Sequence, residues 1–177
     1  MERKLKNLVI LKKKELFIIL IFKNHTIFAN IYNSKFLKEN KIYFPNYSCF
    51  EDPIFFVNAM NKVKIFYALP QNVHYYRASD RIKKMNKKKI IDMLKGMLDL
   101  LKYSDKNNLN ILYNYIVNEF NDNVKMIKKF QNNEVKKQII EILSYINFKK
   151  VKRQNKKFKL NKFYKKIMKK IKKKIDL

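Results

Sequence analysis

Between residues 90 and 146 the apolar side chains recur at intervals of three and four, the spacing that gives a helix one continuous apolar face. Ile90, Ile91, Leu94, Met97, Leu98 and Leu101 form one stripe, broken only by Gly96. Leu109, Leu112, Tyr113, Ile116, Val117 and Phe120 form a second, and Asn107-Asn108 between them reads as a turn. Ile139, Ile142, Leu143 and Ile146 make a third before the composition changes at Phe148. This half of the chain is therefore expected to be helical, with no internal repeat at a solenoid period.

The other half carries mixed signals. Residues 1–15 are polar and basic, and the run Leu16-Phe17-Ile18-Ile19-Leu20-Ile21-Phe22 reads equally as a buried strand or a short core helix. It falls far short of the roughly 20 apolar residues a membrane-spanning helix needs. No small-residue cleavage site follows Phe22, so secretion is not expected. From Thr26 to Asn40 the residues Ile27, Phe28, Ile31, Tyr32 and Phe36 follow helical spacing, and Pro45 marks a loop. Pro53, directly after Glu51 and Asp52, predicts the first turn of a helix reaching about Lys62. Ile65-Phe66-Tyr67-Ala68-Leu69, closed by Pro70, and Val73-His74-Tyr75-Tyr76-Arg77 read as two short strands lying side by side. The expected fold class is α+β and predominantly helical, a short β element over residues 65–76 packed on helices. Three segments are expected: a basic and apolar N-terminal segment at 1–26, a main domain at 27–148 and a basic tail at 149–177.

Lys and Arg number 42 against 14 Asp and Glu, a formal charge of +28. A field of that sign attracts polyanions, whether nucleic acid or an acidic membrane face. The chain is also heavy in Lys, Asn, Ile, Tyr and Phe, residues with A/T-rich codons, so part of the lysine excess is expected to reflect base composition. The tail is different: residues 149–177 hold 15 basic residues against Asp176, half of the whole net charge. Within it Leu160, Tyr164, Met168, Ile171 and Ile175 recur every three or four positions among lysines, the pattern of a basic amphipathic helix that lies on an anionic membrane or docks on a polyanion. The expected location is cytoplasmic and peripheral on the inner membrane face. A basic nucleic-acid-binding module, RNA-directed or ribosome-associated, is the alternative reading of the same charge.

Several chemistries lack their residues. One cysteine, Cys49, excludes an intrachain disulfide, and His25 and His74 stand in no metal-spaced cluster. No nucleophile signature surrounds Ser34, Ser48 or Cys49. With Gly96 alone there is no glycine-rich phosphate loop, and no Asp-x-Asp pair occurs to hold a divalent ion. Glu51 and Asp52 remain, at a helix mouth, readable either as an N-terminal charge device or as a carboxylate base presented to a substrate.

Their context resembles the C-terminal, acceptor-side half of a bacterial family 2 glycosyltransferase of the inverting GT-A type. The likeness begins over residues 31–45 and continues through Phe50-Glu51-Asp52-Pro53-Ile54-Phe55-Phe56, similar to that family's Glu-Asp motif and the aromatic helix after it. It includes Lys64-Ile65-Phe66-Tyr67-Ala68-Leu69-Pro70 and Val73-His74-Tyr75-Tyr76-Arg77, similar to a strand pair ending in a Tyr-Arg signature. The order and spacing of the four pieces carry the resemblance, which covers residue 27 to about residue 125 and excludes the basic tail.

The resemblance implies that Asp52 is the general base that deprotonates an acceptor hydroxyl, with Glu51 its partner in the motif. It implies that His74, Tyr76 and Arg77 lie near the donor diphosphate or the acceptor, in assembly of a surface polysaccharide or glycolipid with a sugar or lipid-linked acceptor. The sugar-nucleotide half of such enzymes has no counterpart here, since the residues before Ile31 look unlike it. The isolated chain is expected to be inactive and without cofactor; a divalent metal, Mn²⁺ or Mg²⁺, and a nucleotide sugar would come with a separately supplied donor half.

Overall fold

The structure is a computed structural model that describes residues 31–64 and 85–175, with side chains through Lys170. The chain divides into two compact units, one formed by residues 1–45 with 52–83 and the other by residues 46–51 with 84–177.

In the first unit, α1 spans Ser34–Glu39 and α2 spans Glu51–Lys62, although Glu51 itself falls in the second unit. Helix α1 starts where the Asn33 side chain accepts the amides of Lys35 and Phe36, at 2.9 and 3.2 Å. This cap satisfies donors that have no partner within the helix. It ends in a Schellman turn: the Ile42 amide reaches Leu37 O at 2.9 Å, the Lys41 amide reaches Lys38 O at 3.1 Å, and Lys41 takes φ 52°. The turn carries Ile42 back onto α1, where Ile42, Phe55 and Ala59 are buried with Tyr32, Phe36 and Leu37 packed around them. Phe55 is the centre of this cluster. Tyr32 meets its ring edge-on at 5.2 Å and Phe44 stacks on it at 4.0 Å. Lys62 Nζ then ties the end of α2 to the end of α1 by donating to Asn40 O at 2.9 Å.

The second unit is built around α3, Lys87–Lys106, which packs along both α4, Asn110–Asp122, and α6, Asn133–Tyr145. Gly96 lies buried in the middle of α3 between the apolar residues Leu94 and Met97. Helices α3 and α4 are joined by a second Schellman turn, in which Leu109 N bonds Ser104 O at 2.8 Å and Asn108 takes φ 55°. Asparagine is the commonest substitute for glycine in that conformation, so the hairpin forms without one. The short α5, Val124–Lys129, continues from α4 through Asn123.

Two further helices lie in the basic C-terminal segment, α7 at Phe148–Gln154 and α8 at Lys162–Ile175. The Asn147 side chain caps α7 by accepting Lys150 N at 3.0 Å, and the Asn147 amide donates to the buried Tyr113 hydroxyl at 3.0 Å. Helix α8 packs against α6, and its Tyr164 is fully buried. The Tyr164 ring stacks on Phe120 at 4.3 Å and 8°, and its hydroxyl donates to Phe120 O at 3.1 Å. The basic segment thus contributes a large aromatic to the core of the second unit.

Two expectations change. The α+β fold class is not observed: all eight elements among the described residues are helices, and no strand occurs among them. A fold like the C-terminal half of a GT-A enzyme is withdrawn with it. The β expectation rested on two five-residue apolar runs, too short for periodicity to separate strand from helix, and residues 65–84 lie outside the described residues. The helix expected from Thr26 to Asn40 is also shorter among the described residues, because Asn33 caps it and residues 31–33 are not helical. Among the described residues, no helix is long and apolar enough to cross a membrane.

Candidate functional site

Glu51 and Asp52 are the first two residues of α2, and both are partly buried. The next turn of that helix, Ile54, Phe55, Phe56 and Val57, is buried on every side. An acidic pair at this position stands at the start of a helix anchored by its next turn. Carboxylates there also face the positive end of the helix dipole.

Within the first unit, the carboxylate of Asp52 acts on Tyr32. Burial, and then the negative charge of Asp52, push the Tyr32 hydroxyl up to about 12. That hydroxyl is buried and makes no hydrogen bond among the described residues. A buried donor of this kind is uncommon, and it sits close enough to Asp52 to feel its charge.

Within the second unit, residues 46–51 are fastened to α3 by two aspartates one heptad apart. Ser48 donates through both its amide and its hydroxyl to Asp92 Oδ2, at 2.9 and 2.6 Å, and Tyr47 donates to Asp99 Oδ2 at 2.7 Å. Phe50, immediately before the acidic pair, is held at φ 72°. A bulky residue in the left-handed region is a true outlier, costing roughly 1–2 kcal/mol, and persists only when its surroundings fix it. The paired hydrogen bonds of Ser48 supply that fixation.

Asp92 is buried, with 7% of the residue exposed. Burial alone would raise its carboxyl, but the Ser48 hydroxyl and amide, with Lys88 and Lys95, outweigh burial and hold it below the ordinary carboxylate range. The folded group therefore titrates below the unfolded value of about 3.9, so its stabilising contribution is complete above that pH and is lost as pH falls through the folded value. Asp92→Asn is expected to flatten the acid side of the stability profile of the whole chain. Denaturant midpoints measured from neutral pH down to about pH 3 check this, and an unchanged acid slope in the variant would contradict it.

Cys49 lies in the same loop, partly buried, and burial followed by the charge of Glu51 raises its thiol despite the nearby Lys89. A raised thiol is a poor nucleophile at neutral pH. Neither family models, nor curated proteins, nor solved structures match this chain.

Of the five residues assigned by sequence, Glu51 and Asp52 are brought together at the mouth of α2. His74, Tyr76 and Arg77 lie outside the described residues, as does His25. Asp92 and Asp99 were missed. Their signal was available: two acids seven residues apart, the first wedged between Ile91 and Met93 in an apolar stripe, where an unpaired charge would be costly. Among the described residues no group of three or more His, Cys, Asp or Glu converges to hold a metal ion.

Proposed function

We propose that this chain supplies the acceptor side of an inverting glycosyl transfer, with Asp52 as general base. The observation that carries the reading is the position of Asp52: a partly buried carboxylate in the first turn of a helix whose following turn is wholly buried. General-base work requires a carboxylate fixed within hydrogen-bond reach of the proton it takes, and a clamped helix mouth meets that requirement.

In the proposed step the acceptor hydroxyl gives its proton to Asp52 as its oxygen bonds to the anomeric carbon of the donor sugar. The bond from that carbon to the nucleotide diphosphate breaks on the opposite face, so configuration inverts. Glu51 holds the motif at the helix start. His74, Tyr76 and Arg77 are assigned to the diphosphate or the acceptor by the sequence resemblance alone. Donor binding is assigned to a donor half outside these 177 residues, because the one glycine is buried inside α3 and no Asp-x-Asp pair occurs.

The division of labour is testable by calorimetry. Titration of the chain with uridine and guanosine diphosphate sugars in the presence of Mn²⁺ is expected to give no saturable binding. Micromolar binding would place a donor site in this chain and overturn the division.

A further inference from the structure

The basic C-terminal segment presents a surface that the sugar-transfer reading does not use. Taking Tyr164 as the centre of the buried side of α8, the helical advance of about 100° per residue puts Lys162, Lys165, Lys166, Lys169 and Lys170 together on the opposite side. All five are exposed. None of them is in an ion pair among the described residues, unlike Lys35 with Glu39, Lys102 with Glu141 and Lys150 with Asp105. A row of lysines left without carboxylates repels itself and lowers its energy by meeting a surface of opposite charge.

The aromatics of the segment decide between the two polyanions that offer such a surface. Single-stranded nucleic acid is held by exposed rings on which bases stack, and by arginine planes. Here no ring from residue 148 to residue 170 is exposed. Tyr164 is stacked on Phe120, Phe158 is buried, and Phe163 is partly buried with Lys128 Nζ 4.8 Å from its ring centre. The free face offers lysine point charges with nothing to stack on, and the segment 149–177 contains a single arginine, Arg153. Lysine arrays of this kind fit the diffuse negative charge of anionic lipid headgroups.

We propose that the lysine face of α8 is a docking surface for an anionic phospholipid bilayer, held by charge without insertion of Tyr164, which stays in the core. This contact is independent of the Asp52 reading and stands or falls by itself. Each lysine close to an anionic membrane contributes about 1 kcal/mol, about five-fold in affinity. The full chain is expected to co-sediment with vesicles of phosphatidylcholine and phosphatidylglycerol in equal parts, and not with phosphatidylcholine alone. The exposed substitutions Lys165→Gln, Lys166→Gln, Lys169→Gln and Lys170→Gln, combined, are expected to weaken that binding by about a hundred-fold or more with thermal unfolding unchanged. Molar salt should release the wild-type chain. Binding that is unchanged in the combined variant, or equal on neutral vesicles, would overturn the proposal. So would single-stranded poly(U) stripping the chain from anionic vesicles at equal phosphate concentration, because nucleic acid would then be the preferred partner.

Discussion

In a transfer reaction reconstituted with a donor-binding half, Asp52→Asn is expected to lower the rate by about a hundred-fold to ten-thousand-fold, the range that one positioned general base supplies. The substitution keeps the size of the side chain and its capacity to accept amide hydrogen bonds at a helix start. Folded stability should therefore change by only about 1 kcal/mol or less. The combination of a large kinetic loss with a small stability loss separates a base from a cap. A variant with full transfer activity would remove Asp52 from the base role, and a variant that is inactive because it unfolds would show it in the denaturation midpoint.

The largest effect on stability is expected at Tyr164. Its ring is fully buried against Phe120 and its hydroxyl is bonded to Phe120 O. Truncation to Ala removes an aromatic from a packed site and is expected to cost about 3–5 kcal/mol, a large share of the roughly 5–15 kcal/mol that a domain has. Tyr164→Phe keeps the stacking and loses one hydrogen bond, a cost of about 1 kcal/mol. Chemical denaturation of both variants checks the pair of values. If Tyr164→Ala unfolds at the wild-type denaturant concentration, α8 does not belong to the core of the second unit.

The helices of the second unit were legible because their faces are long. Stripes of six apolar residues at helical spacing leave no strand alternative, and Asn107-Asn108 gave the turn between them. Short runs carry less, since five apolar residues fit a strand and a buried helix equally well. That is why the β expectation at residues 65–76 had little behind it.

The asparagines were undervalued for a different reason. Apart from the Asn107-Asn108 turn they were read only as a consequence of A/T-rich codons, yet Asn33, Asn86, Asn132 and Asn147 each cap a helix through the side chain. Asn108 meanwhile takes the left-handed position at a Schellman turn. In a chain with one glycine, asparagine supplies several of the helix starts and part of the helix stops. Codon bias and physical function are not alternatives here.

Charge gave the segment 149–177 its amphipathic pattern correctly and its destination incompletely. Periodicity identifies an apolar face without saying what covers it, and Phe120, far away in sequence, covers Tyr164. For the acidic pair, sequence located Glu51 and Asp52 at a helix start, but the fastening of the loop that leads to Glu51 is a contact between residues 44 positions apart, Ser48 and Asp92. A contact of that separation leaves only an indirect trace in the sequence, an acid out of place in an apolar stripe.

The most direct test of the central proposal is to supply the chain with a donor-binding glycosyltransferase half and a nucleotide sugar, and to read the anomeric configuration of the product by proton NMR. Transfer that depends on the chain, is lost with Asp52→Asn and inverts the configuration of the donor sugar is the expected result. Transfer with retention of configuration, or product formed equally without the chain, would contradict it.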